Sequence, residues 1–170
     1  VKRLPLCRIV VLLAFSSSSI TRCVAVSASA LASVTFKSAS TNMVPGDTWA
    51  VVDVFVHDLV TAETTKASLS SQGVASNRHT YTCTISPDGR FVGFSSEATN
   101  LVPGHTSGWQ DLYVRDRQTS QTTCVSVSSQ GGLGNHNSAD PALSADGQFV
   151  VFGGAASTLV PGDTNNTSDV

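Results

Sequence analysis

Asp163, Asn165 and Asp169 lie close together near the end of the chain, in "DTNNTSD". Hard oxygen ligands at alternating loop positions, followed by a later carboxylate, suit a calcium ion. The same residue types also cap turns by accepting hydrogen bonds from their own backbone, which is the second reading of the stretch. No Gly and terminal Glu follow at EF-hand spacing, so any calcium would sit in an irregular loop. Two similar stretches occur upstream. One has Asp47 and Asp53 with Trp49 at the Asn position, and the other has His105, Ser107 and Asp111. Neither keeps the full oxygen set, so calcium is expected at the third stretch first.

The remaining reactive side chains carry less chemistry. Asp88 and Asp146 each precede a Gly, which predicts tight turns and not catalysis. Asp58 and Asp116 end apolar runs, where local backbone N–H groups are the expected partners. His57, His79, His105 and His136 share no common spacing and are expected to be solvated loop residues, without a metal cluster among them. The four cysteines, Cys7, Cys23, Cys83 and Cys124, form no C-x-x-C pair. Trp49 and Trp109 both fall in the similar stretches; an exposed aromatic there would serve a ligand, and a packed one would cover a sheet edge. The chain has no G-x-S-x-G, no H-E-x-x-H and no phosphate-binding loop. No catalytic residue is therefore assigned, and calcium is the one candidate cofactor.

Composition narrows the partners. A net charge of −2, with 13% of residues charged, offers no basic face for nucleic acid. No run of eighteen apolar residues occurs, so no membrane-spanning helix is expected. Abundant Ser, Thr, Val and Gly favour strands and tight turns over helices.

What must position these residues is a tandem repeat. Pro45, Pro103 and Pro161 are spaced by 58 residues, and the same offset relates "DVFVHD" to "DLYVRD", "SPDGRFVGF" to "SADGQFVVF" and "SSQG" to "SSQG". Such a period changes the whole fold expectation. One copy reads as four strands. "CTIS" or "PALS" is followed by an Asp-Gly turn and then by "RFVGF" or "QFVVF". A long "VPGDT" or "VPGHT" loop leads to "DVFVHD" or "DLYVRD", and the copy closes with "TTKASLS" or "TTCVSVS". In the third strands, Val54 and Val56 (and Leu112 and Val114) are expected on one face, with Phe55 and Tyr113 on the other. A small antiparallel sheet of this kind cannot bury both faces alone, whereas stacked copies can, as in the blades of a β-propeller. Cys83 and Cys124 fall on the first and fourth strands of one copy. Three strand spacings, roughly 14 Å, exceed the ~4.4–6.8 Å Cα separation of a disulfide, so no bond between them is expected.

A strand ending in S-P-D-G, an aromatic-apolar strand and then D-V-F-V-x-D resemble the TolB-like (WD40-like) β-propeller repeat, in a long 58-residue variant covering about residues 33–170. The fold class expected is all-β, an incomplete propeller. Residues 33–79 would form a degenerate partial blade, 80–137 a complete one and 138–170 a truncated one, in a fragment of a longer chain. Residues 1–32 have no counterpart in the repeat. They read either as a secretory signal or as a mis-started remnant of a first strand. The signal reading takes Lys2, Arg3 and Arg8 as the charged part and Ile9 to Phe15 as the apolar part, with Ala28-x-Ala30 or Ala30-x-Ala32 as the cleavage site. Either way, the first strand of the first blade is expected to be missing. The resemblance implies a secreted or periplasmic scaffold without catalysis that binds a protein, peptide or glycan. Other contacts would come from further blades or from self-association through open blade edges. The alternative it implies is the accessory propeller of a larger hydrolase such as a serine peptidase.

Overall fold

The computed structural model describes residues 20–26, 33–165 and 167–170. Ten strands and no helix occur among them. The first sheet is a meander of β1 (Ile20–Val26), β2 (Ser33–Ser38), β3 (Asp53–Asp58) and β4 (Thr64–Lys66). The second repeats it with β5 (Thr80–Ile85), β6 (Phe91–Ser96), β7 (Asp111–Asp116) and β8 (Gln121–Cys124). A third begins with β9 (Ser138–Leu143) and β10 (Val150–Gly154), and Asp169 bridges to Gly154 where the next strand of the pattern falls. All pairings are antiparallel between consecutive strands. The sheets stack in order, with β1 and β2 beside β5, and β5 and β6 beside β9. This is the all-β blade architecture of a β-propeller, and the stack is not closed into a ring.

Two features depart from the sequence expectation. The first blade has a first strand: the backbone of Ile20–Val26 pairs with β2. Ala30-Leu31 stands where the Asp-Gly turn stands in later copies, yet strand pairing survives the loss of that turn. The proposed charged and apolar regions of a leader and both cleavage sites lie outside the described residues. The fourth strands are shorter than expected, ending at Lys66 and Cys124. Beyond them Ser68 and Ser126 turn inward to bond carboxylates of the neighbouring third strand. As the stacked-copy reading expects, β3 buries both faces: Val54, Phe55 and Val56 are all inaccessible to solvent.

The turns follow the chemistry of their residues. Gly89 N–H donates to the Ser86 carbonyl at 2.8 Å, and Gly147 N–H donates to Ser144 at 3.0 Å. Both glycines hold positive φ, at 75° and 68°, which an L-residue adopts only at a cost. Asp88 and Asp146 accept from the hydroxyls of Ser86 and Ser144 and from the backbone amides of Arg90 and Gln148. Those bonds, the Ser hydroxyl first, hold both carboxyls below the ordinary Asp value. Asp58 and Asp116 cap the turns after β3 and β7 through Val60 and Thr61, and through Gln118 and Thr119.

The core runs through the blades and between them. Phe36 stacks on Phe55 at 5.6 Å, and Phe94 on Tyr113 at 5.7 Å, the same pair one repeat apart. Polar bonds tie each blade to the next. Thr80 N–H donates to the Val52 carbonyl at 2.8 Å, and Ser138 N–H to Gln110 at 2.7 Å, again one repeat apart. Arg115 donates to the carbonyls of Leu69 and Ser70 in the first blade. Cys83 and Cys124 stand buried on the two edge strands of the second sheet and are not bonded to each other.

Candidate functional site

The Val-Pro-Gly loop is built the same way three times. Asp47 N–H donates to Val44 at 3.2 Å, His105 N–H to Val102 at 3.3 Å, and Asp163 N–H to Val160 at 3.4 Å. Pro at the second position and Gly at the third, with φ of 80°, 74° and 82°, are the requirements of a type II turn. The residue after the Gly is thereby placed beside the Asp that opens the third strand. In the two complete sheets, a residue of the fourth strand (Lys66 or Cys124) comes from the other side.

In the first blade this forms a buried ion cluster. Lys66 Nζ lies 2.8 Å from Asp47 Oδ1 and 2.8 Å from Asp53 Oδ2, with both carboxylates almost fully enclosed. Asp53 Oδ1 accepts from Ser68 at 2.6 Å and Ser76 at 2.8 Å. Burial disfavours the ammonium, but the bonds to Asp47 and Asp53 outweigh it and hold the Lys66 pKa above the ordinary lysine value.

The second blade has the same geometry with different chemistry. His105 Nε2 lies 3.1 Å from Asp111 Oδ2. Asp111 also accepts from Ser107 at 2.5 Å and Ser126 at 2.7 Å. Cys124 replaces the lysine, and the ligand atoms of His105, Asp111 and Cys124 all lie within 4.8 Å of one another. The Tyr113 hydroxyl sits 3.2 Å from His105 Nδ1 and 3.1 Å from the Ala98 carbonyl. The bond to Asp111, then Cys124, pushes the His105 pKa up to about 9 against the effect of burial. His105 is thus a buried cationic partner, 4% exposed, and not the solvated loop residue expected from sequence. The other histidines differ in setting. His79 and His136 are exposed, while His57 is half-buried on β3 and bonds Thr64.

The third loop brings together the three residues singled out for calcium. Asn165 Nδ2 donates to Asp169 Oδ2 at 2.9 Å, and the Asn165 amide donates to Asp163 Oδ1 at 3.3 Å. All three line a cleft of about 780 Å³ with Val150, Phe152 and Leu159. Among the described residues no cation pairs with Asp163 or Asp169.

The same end of the blades carries the exposed aromatics. Trp49 is 62% exposed and Trp109 41%. Trp109 stacks on His136, with ring centroids 4.7 Å apart and planes inclined by 16°. His79 Nδ1 accepts from Val52 N–H in the same loop as Trp49. Among the described residues no helix is long and apolar enough to cross a membrane.

No family model matches the chain, and no curated protein matches it. Among solved structures it is similar to TolB from Acinetobacter baumannii, with 18% identity and a TM-score of 0.48 over 79% of this chain and 27% of that one. It is also similar to the tricorn protease, with 16% identity and a TM-score of 0.35 over 74% of this chain and 14% of that one. The chain thus spans about a quarter of the first protein and a seventh of the second.

The raised His105 pKa makes stability depend on pH. A folded pKa of about 9 against an ordinary value of 6.5 contributes stability that is fully present below pH 6.5 and lost as pH rises through 9. In chelator-treated protein the thermal midpoint is expected to fall between pH 7 and pH 9.5, and a His105→Gln variant should lose that slope. Thermal unfolding followed by circular dichroism across this range checks it.

Proposed function

We propose that the chain is a non-catalytic β-propeller scaffold that binds a protein, peptide or glycan through the long-loop end of its blades, in a secreted or periplasmic setting. The observation that carries this reading is the exposed aromatic row on that end. Trp49 and Trp109 stand on adjacent blades, on loops whose roots are fixed by buried ion clusters. Large aromatics held on rigid loops give contact area with little entropy lost on binding, and such residues dominate binding hot spots. The test is a screen of peptide and glycan arrays with the wild-type chain and a Trp49→Ala/Trp109→Ala variant. Hits are expected to weaken more than about tenfold, ~1.4 kcal/mol, in the variant at an unchanged unfolding midpoint. Hits that persist in the variant would place the binding surface elsewhere.

The second reading is calcium at Asp163, Asn165 and Asp169, favoured by their convergence at one cleft mouth. Rotating the Asn165 amide would present Oδ1 in place of Nδ2, giving three oxygen donors, and two uncompensated carboxylates supply the charge. Calcium in the millimolar range is expected to raise the thermal midpoint, and Asp163→Asn/Asp169→Asn to abolish the rise. A midpoint unmoved at millimolar calcium removes the site.

A further inference from the structure

We infer that the niche formed by His105, Asp111 and Cys124 in the second blade binds a divalent transition-metal cation of the zinc type. Three observations lead there. First, one imidazole, one carboxylate and one thiol converge within 4.8 Å, each on a separate segment and all buried. Tetrahedral zinc takes these three ligand types at bond lengths of about 2.0–2.3 Å, which puts neighbouring ligand atoms roughly 3–4 Å apart. The observed His105–Asp111 separation of 3.1 Å already meets that spacing, so a modest inward movement of Cys124 completes the set.

Second, the equivalent place one repeat earlier already holds a cation. Lys66 Nζ there bridges Asp47 and Asp53 at 2.8 Å each. Those carboxylates occupy the repeat positions of His105 and Asp111, and the ammonium arrives from the position of Cys124. Replacing the lysine by cysteine removes the ammonium, leaves the His105–Asp111 pair, and supplies a soft ligand in the lysine's place. The exchange of one carboxylate for imidazole moves the donor set from one suited to an ammonium to one suited to zinc.

Third, the charges balance. Binding displaces the Cys124 thiol proton and any proton on His105, leaving thiolate, carboxylate and a divalent ion, a set of zero net charge suited to a buried site. Ser126 and Ser107 hold Asp111 through separate bonds in the manner of outer-shell partners that orient metal ligands. The Ser107 hydroxyl bonds Asp111 Oδ2, and the Tyr113 hydroxyl lies 3.2 Å from His105 Nδ1. Calcium does not suit this donor set, because it prefers six or more oxygens.

The experiment uses cobalt(II) as a spectroscopic probe for zinc, added to chelator-treated chain at pH 8. The expected result is one equivalent of bound cobalt with a thiolate-to-cobalt charge-transfer band and visible bands of four-coordinate intensity. Equimolar zinc should displace them. Cys124→Ser should remove the charge-transfer band. His105→Asp/Cys124→Lys, which installs the first blade's own set, should keep the fold and show no cobalt signal. Absence of the band in the wild type, or its persistence in either variant, overturns the inference. A folded double variant keeps the result interpretable if Cys124→Ser alone loses stability.

Discussion

A carboxylate buried at the root of the third strand in each of the two complete sheets, and the cation that neutralises it, organises this structure. Asp53 and Asp111 are 1% and 0% exposed, and an isolated carboxylate so placed would cost several kcal/mol. Each has three partners. Asp53 accepts from Lys66 of the fourth strand and from Ser68 and Ser76 beyond it, while Asp111 accepts from His105 and Ser107 of the long loop and from Ser126 beyond the fourth strand. The blade therefore closes around a charge. The residue that follows each Pro-Gly turn, the opening of the third strand and the end of the fourth are all specified by one interaction.

That arrangement links packing to surface. Bonding Asp47 and His105 inward holds the middle of each loop in one place, so Trp49 and Trp109 are displayed from fixed roots. Blade-to-blade bonds then set the spacing between those displays: Thr80 to Val52 and Ser138 to Gln110 join each loop to the first strand of the next sheet. The identity of the cation is what varies from copy to copy. A lysine serves the first blade and a raised-pKa histidine the second, while Asp163 and Asp169 meet no described cation in the third.

Much of the fold was legible because the repeat registers four kinds of local signal at one offset. "DVFVHD" and "DLYVRD" become β3 and β7 with the expected bounds. The S-P-D-G and S-A-D-G segments form the expected turns. β1 was not legible, because Ile20–Val26 lacks the turn residues that announce its counterparts and is recognised through its pairing with β2. At the site, Asp163, Asn165 and Asp169 were visible as an oxygen cluster, and they do converge. His105 was misread. Its alignment with Asp47 was available, as was that of Cys124 with Lys66. However, strand alternation cannot show which loop side chains turn inward, and the bond from His105 to Asp111 depends on the turn geometry of the loop.

The measurement that bears most directly on the central claim is the stability of Lys66→Met against Lys66→Met/Asp47→Asn/Asp53→Asn in urea unfolding. Removing the ammonium alone leaves two buried carboxylates unpaired, and is expected to cost about 3–5 kcal/mol. Neutralising both carboxylates as well should recover most of that loss. A Lys66→Met variant within about 1 kcal/mol of the wild type, the range of an exposed ion pair, would contradict the account.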